Sequence, residues 1–330
     1  MDAQTRNGQR QAARANSRPR LGRPRLLIVG CGDIGLRIVA RLGDRFRITG
    51  AVRSAASAAA VRQAGATPLR VDLDRGRSLA RLAGLAPRVL VLAPPGTQDR
   101  REHRVRRLLC TLRGGPGAGR HGNRRGALRG ATARRLIYLS TTGVYGDRRG
   151  AWTDETATPA PRNERAWRRL DAERRVRYGA WRGAVLRVPG IYGPGRLPLA
   201  RLRESIPVPL PHEDVVTNHV HADDLARATI AALFRAAPAR VYNAVDDSEL
   251  LLGEYLDRIA DHAGLARPRR APWEEMRTAA GPLRMSFLDE SRRLRNTRLK
   301  RELRLRLLYP DIEAGLAAMT RPPPGADEYA

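Results

Sequence analysis

With 330 residues, 42% of them hydrophobic, the chain is long enough to bury a large core as one big domain or as a domain with an appended lobe. Its two cysteines, Cys31 and Cys110, exclude a disulfide framework and a cysteine-based metal site. No run approaches the ~20 apolar residues that span a bilayer, and no apolar secretory segment opens the chain; the expectation is a cytoplasmic protein with no membrane partner and no metal. A net charge of +29 raises nucleic acid as a partner, but every basic residue except Lys300 is an arginine, spread without interleaved aromatics, which argues against specific nucleic-acid binding.

In chain order, residues 1–24 are polar, Arg-rich and aperiodic and read as a disordered tail. LLIVGCGDIGLRIVARL, residues 26–42, follows: a short apolar strand runs into Gly30-Cys31-Gly32-Asp33-Ile34-Gly35, and Ile34, Ile38, Val39 and Leu42 then recur at helical spacing. A G-x-G-x-x-G on a strand-to-helix turn lets the backbone approach a pyrophosphate and aims helix N–H groups at it, so residues 30–35 are read as a dinucleotide cradle. The next strand, 46–52, ends in Arg53-Ser54. No acid stands there to hold the ribose hydroxyls of NAD, so Arg53 and Ser54 point to the 2′-phosphate of NADP, and NADP is favoured over NAD. Asp72, after a strand at 67–71, and Ala93 and Pro94, ending a strand at 88–93, complete the cofactor candidates.

Residues 113–133 are Gly-rich and basic without apolar periodicity, which reads as a flexible surface insertion. Strands at 135–140 and 184–188 follow, with helical segments between. The alternation predicts an α/β fold, a doubly wound parallel sheet of Rossmann type with a smaller C-terminal lobe, and a ligand cleft at the carboxyl ends of the strands. The expected division is a nucleotide-binding part over 25–188 and a mainly substrate-binding lobe over 189–330, with 215–245 returning to the first part.

Three segments in order, STTGVYGD (140–147), LRVPGIYGPGR (186–196) and NHVHADDLA (218–226), resemble the extended short-chain dehydrogenase/reductases, the group of NAD(P)-dependent sugar epimerases and dehydratases. Residues 293–316 resemble the segment that closes the substrate lobe in that group, and the resemblance covers about residues 25–320. Two departures mark an atypical branch. The family's glycine spacing would place a glycine at Val29, and its Tyr-x-x-x-Lys pair is missing: registering the helix 163–175 on Glu173 puts Arg165 at the tyrosine position and Arg169 at the lysine position.

The resemblance implies a catalytic hydroxyl at Thr141 and a pocket role for Tyr145, so the catalytic candidates are Thr141, Tyr145, Arg165 and Arg169. Arg169 keeps the charge and hydrogen-bonding capacity of the lysine, but a guanidinium cannot shuttle protons near neutrality, so Arg165 can only act as a fixed cation. Tyr192, Arg196, Asn218 and His221 are the substrate-side candidates; Asp224 is expected to cap a helix beginning at Leu225. Two readings stand. One is an NAD(P)-dependent oxidoreductase or epimerase acting on an anionic carbonyl or nucleotide-sugar-type substrate with an unidentified proton donor. The other is an NADP-binding regulatory protein without turnover.

Overall fold

The computed structural model describes residues 22–97, 99–113, 134–288 and 290–319. The tail, apart from residues 22–24, and the basic insertion, apart from Arg113, lie outside the described residues.

Seven parallel strands form the central sheet: β1 (Arg25–Val29), β2 (Arg47–Val52), β3 (Thr67–Arg70), β4 (Arg88–Val91), β5 (Arg135–Thr141), β6 (Ala184–Val188) and β7 (Val241–Asn243). Their order is β7-β6-β5-β4-β1-β2-β3, so the direction of winding reverses between β1 and β4. The carboxyl ends of those two strands therefore open a crevice, where open α/β sheets bind ligands. Pro68, which cannot donate to a ladder, sits in β3 at the sheet edge, the one kind of strand that tolerates it. The seventh strand, Val241–Asn243, adds to the six legible in the sequence; at three residues it is too short to show a period.

β1 is buried on both faces, and its side chains divide by parity. Leu26 and Ile28 join one core cluster, Leu27 and Val29 the other. Helix α1 (Asp33–Leu42) and helix α5 (Ala222–Arg235) cover the first face through Ile34, Ile38 and Leu42 packed with Leu225, Ala228 and Ala232. Between them in sequence, α2 (Ala55–Gln63) follows β2 and packs beside β3. The second face is covered by α3 (His103–Arg113), with Val105, Leu108 and Leu112, and by α4 (Glu164–Tyr178), with Ala172 and Val176. A third cluster, including Leu202, Val208, Leu252, Leu256, Ile312 and Leu316, builds the lobe around α6 (Leu252–Ala263).

The 293–316 segment divides in two. Leu299, Leu303, Leu305 and Leu307 pack into the first sheet-face cluster, while Ile312 and Leu316 close the lobe, so its first half belongs to the sheet's helical cover.

α5 begins at Ala222, not Leu225. His221 is its N-cap, with Nδ1 accepting from the Asp223 N–H, and Asp224 is a buried acceptor for the backbone N–H groups of Leu308 and Tyr309 and for Arg227. Asp224 thus ties the C-terminal segment to the sheet's helical cover and caps nothing.

Candidate active site

Strand β1 ends at the turn whose glycines are each forced by a neighbour or left open. Gly30 has φ +83, and a Cβ there would lie 2.5 Å from the Ala93 nitrogen, so only glycine fits. A Cβ on Gly32 would meet nothing within 4 Å; the backbone faces open space. Gly32 is also the N-cap of α1, and no side chain caps that helix, which leaves its N-terminus available to an anion. Val29, where the family spacing would require glycine, is buried between Ala51 and Val91 in the sheet. The cradle therefore fits a dinucleotide pyrophosphate with its glycines shifted onto the turn itself.

A cleft of about 460 Å³ opens over this turn, lined by residues 30–35, Arg53, Ser57, Pro94, Thr141, Arg165, Arg169, Pro189 and Arg196 among others. Ser54 does not line it; its hydroxyl oxygen caps α2 by accepting from the Ser57 N–H, and Ser57 faces the cleft instead. Asp72 lies off the cleft and closes a local turn onto the Asp74 N–H. Ala93 packs beneath Gly30 as a floor. Cys31 is buried, and burial pushes its thiol up to about 11, so it is an inert filler of the turn.

A second cavity, about 390 Å³, adjoins the first. Thr141, Arg165, Pro189, Ile191 and Arg196 line both. The side of the second cavity away from the cofactor cleft is formed by Asn163, Arg201, Asn218, His219, Tyr255, Glu290 and Arg292, with others.

The sheet and α4 together place the shared residues. Asn163 caps α4 by accepting from the Ala166 N–H, and the helix then carries Arg165 and Arg169 one turn apart on the face toward the carboxyl end of β5. Arg169 Nη1 donates to the Leu139 carbonyl at 2.8 Å, to the Tyr138 hydroxyl at 3.0 Å and to the Ala93 carbonyl at 3.4 Å, bridging the ends of β4 and β5. Burial, then the neighbouring charge of Arg169, lowers Arg165 to about 10, which still leaves it a cation at neutrality. Thr141 ends β5 with its Oγ1 accepting from the Gly143 N–H at 3.2 Å. Arg196, from the loop after β6, donates through Nε to Asp33 at 2.6 Å, joining the wall shared by the two cavities to the first turn of α1.

Tyr145, Tyr192 and His221 are not brought to either cavity. The Tyr145 hydroxyl donates to Asn243 Oδ1 at 2.8 Å, and Arg187, paired with Glu173 at 2.8 Å, lies over its ring. Tyr192 is fully buried and donates to the Asp311 carbonyl, while His221 is the helix cap. Ile191, whose side chain points to the opposite side of its strand from Tyr192, lines both cavities instead, and Thr141 and His219 line the second. Asn218 does line the second cavity, fixed by donating to the Arg292 carbonyl and accepting from the Leu294 N–H. Glu290 and Arg292 carry no sequence signal, since an acidic pair followed by arginines looks like any solvated surface. Among the described residues no cluster could hold a metal ion, and no helix is long and apolar enough to cross a membrane.

Residues 124–244 match the model of the NAD dependent epimerase/dehydratase family. No curated protein matches the chain. Among solved structures, a conserved protein of unknown function from Silicibacter pomeroyi is 29% identical, with TM-score 0.72 over 89% of this chain and 97% of its own. A protein described as an NAD-dependent epimerase/dehydratase, from Methylobacillus flagellatus, is 26% identical, with TM-score 0.63 over 90% and 97%. The UDP-glucose 4-epimerase of Thermus thermophilus, solved in complex with NAD, is 22% identical, with TM-score 0.63 over 88% and 96%, and shares the fold. The chain thus carries an epimerase/dehydratase-type segment on a Rossmann-like fold of the extended short-chain dehydrogenase/reductase kind.

Proposed function

We propose that the protein is an NADP-dependent oxidoreductase or epimerase acting on an anionic carbonyl or nucleotide-sugar-type substrate, with Arg165 and Arg169 in place of the family's tyrosine and lysine. Residues 25–188 serve as its dinucleotide-binding part and 189–330 mainly as its substrate lobe. The observation that carries the reading is the junction of two cavities at Thr141, Arg165 and Arg196, because a protein that only bound a dinucleotide would need no second chamber against the nicotinamide end. A bound dinucleotide would accept or return a hydride there; the chain supplies the geometry and the charge.

In this reading residues 30–35 hold the pyrophosphate, Arg53 and Ser57 face the adenosine ribose, and Thr141 donates a hydrogen bond to the reacting oxygen. Arg165, Arg196, Arg201 and Arg292 give the second cavity a cationic wall suited to a phosphate or carboxylate on the substrate. Arg169 is held by three oxygens at the strand ends, so its first role is to fix the floor of the cleft.

Arg53 also decides the dinucleotide. NADPH is expected to bind more tightly than NADH, and Arg53→Asp to reverse the order, by calorimetric titration of the natural and substituted proteins. Equal or tighter NADH binding by the natural protein removes the NADP assignment. The missing tyrosine favours a second reading, a dinucleotide sensor without turnover. It prevails if a panel of nucleotide sugars and simple carbonyls leaves NADPH oxidation at background.

A further inference from the structure

The proposed reaction moves a proton as well as a hydride, and the residue that moves it in relatives with a tyrosine is here Arg165. The described residues lining the two cavities offer few substitutes. Arg165 stays charged, lowered by burial only to about 10. His219 is buried against Tyr255, with ring centroids 3.7 Å apart, and desolvation lowers it to about 3, which keeps it neutral. Burial drives the Tyr255 phenol upward, away from neutrality. Asp33 stands at the pyrophosphate end, engaged by Arg37 and Arg196.

Glu290 differs from all of these in position. Its side chain is 5% exposed, and Oε2 accepts from Arg292 Nη1 at 2.7 Å while Oε1 has no hydrogen-bond partner among the described residues. It lines the second cavity beside Thr141. The space over Gly143 bounds how far apart the two groups lie: a Cβ there would lie 3.6 Å from Thr141 Oγ1 and 3.9 Å from Glu290 Oε2, the oxygen that Arg292 holds. The carboxylate and the hydroxyl thus border one small volume at the end of β5, next to the shared wall of the two cavities. An uncompensated carboxylate oxygen in a buried site is costly unless something completes its hydrogen bonding, and a substrate hydroxyl can do so.

We propose that Glu290 is the proton acceptor and donor of this site. This rests on the oxidoreductase reading above. In the oxidative direction the carbon bearing a secondary hydroxyl loses its hydrogen with the bonding pair, as hydride, to the bound oxidised nicotinamide dinucleotide. The O–H bond breaks, its electrons complete the C=O double bond, and the proton moves to the Glu290 carboxylate, which becomes the neutral acid. The reverse reaction returns the proton to the carbonyl oxygen as the hydride arrives. Thr141 holds that oxygen throughout, and Arg292 holds the other carboxylate oxygen so that a single face of Glu290 meets the substrate.

Glu290→Gln tests this, because the amide oxygen can still accept from Arg292 while the group no longer titrates. A uridine diphosphate 4-keto-sugar is titrated into the full chain loaded with NADP, a dead-end pair, in buffers of different ionisation enthalpy at pH 7. The natural protein is expected to take up protons as the ketone binds, as the carboxyl becomes the donor to the carbonyl, and the variant none. Oxidation of the matching UDP-sugar should fall by about 10²-fold to 10⁴-fold in Glu290→Gln with NADPH affinity unchanged, and Glu290→Asp should keep the proton uptake and recover part of the rate. Ketone binding without proton uptake in the natural protein, or an unaltered rate in Glu290→Gln, overturns the assignment and leaves the oxidoreductase reading standing. Failure of the natural protein to bind either dinucleotide overturns that reading, and this inference with it.

Discussion

The two cavities share a wall but are built by different means. One end of the first cavity is the turn between β1 and the first turn of α1, six neighbours in sequence, 30–35, that offers backbone to a ligand. The substrate cavity is made of side chains gathered from Thr141–Gly143, Asn163 and Arg165, Arg196–Arg201, Val215–His219, Leu252–Leu256 and Glu290–Arg292. The glycine turn is set by local conformation. The second cavity needs the whole molecule folded, and each contributor can change without altering a recognisable motif. In this chain the glycine turn is a run of neighbours, while Arg165, which lines both cavities, and Arg169, which lines the first, reach the site on a helix about 130 residues further on.

The strand and helix that carry Val188 and Arg165 to the cavity walls are joined by one buried ion pair. Arg187 in β6 and Glu173 in α4 form a fully buried ion pair, and the Arg187 guanidinium lies 4.5 Å from the Tyr145 ring centroid. Burial works against the charge of Arg187, but Glu173 holds it well above the ordinary arginine range. Glu173→Ala would strand that cation in the core, and denaturant unfolding should show a loss of about 3–5 kcal/mol. A loss below about 1 kcal/mol would mean that water reaches Arg187.

At the junction itself the expected effect is on rate, not on stability. Thr141→Val removes the hydroxyl facing both chambers and should lower turnover by about 10²-fold with cofactor affinity retained. A variant with unchanged rate would separate Thr141 from the chemistry, and simultaneous loss of NADPH binding would show that its bond to the Gly143 N–H shapes the cofactor cleft as well.

Gly30→Ala tests the backbone of the glycine turn. The new methyl would meet Ala93 at less than contact distance on a backbone with φ +83, so the turn must move. Strain of this kind costs about 1–3 kcal/mol, and calorimetry should find NADPH binding lost along with it. Gly32→Ala is the control: its Cβ would meet nothing within 4 Å of protein, so folding stability should hold while a bound pyrophosphate is crowded. Equal losses of stability in the two variants would contradict the difference drawn between them.

How much of this could be read from the sequence follows the same division. Strand β1, the glycine turn and six of the seven sheet strands follow from runs of apolar residues broken by glycine, and Arg165 and Arg169 follow from helical spacing. Tyr145, Tyr192 and His221 are credible candidates by position alone, yet each turns into the core, where the Tyr145 hydroxyl meets Asn243, the Tyr192 hydroxyl meets the Asp311 carbonyl and His221 caps α5. Which side of an extended segment faces a cavity depends on what packs behind it, and the partners of the two tyrosines lie about 100 residues away in sequence. Glu290 is the extreme case. Its meaning comes wholly from Arg292, Thr141 and Gly143 in space.

His219 carries the smallest expected effect and one that appears only as pH changes. Its ring is stacked on Tyr255 and edge-on to Tyr192, its Nδ1 has no hydrogen-bond partner among the described residues, and desolvation lowers it from the ordinary histidine value to about 3. The unfolded chain binds a proton at this residue as pH falls through about 6.5, whereas the folded protein does not until about 3. Within that window the unfolded state holds more protons, so acid drains stability, by up to about 1.4 kcal/mol for each pH unit from this residue alone. His219→Phe keeps the stacking and removes the titration. Thermal unfolding of the two proteins between pH 4 and 7 should therefore give curves that run together near neutrality and separate in acid, the variant losing less. Parallel curves would mean that the histidine is protonated in the folded protein as readily as in the unfolded chain, and that the second cavity is wetter around His219 than its burial against Tyr255 implies.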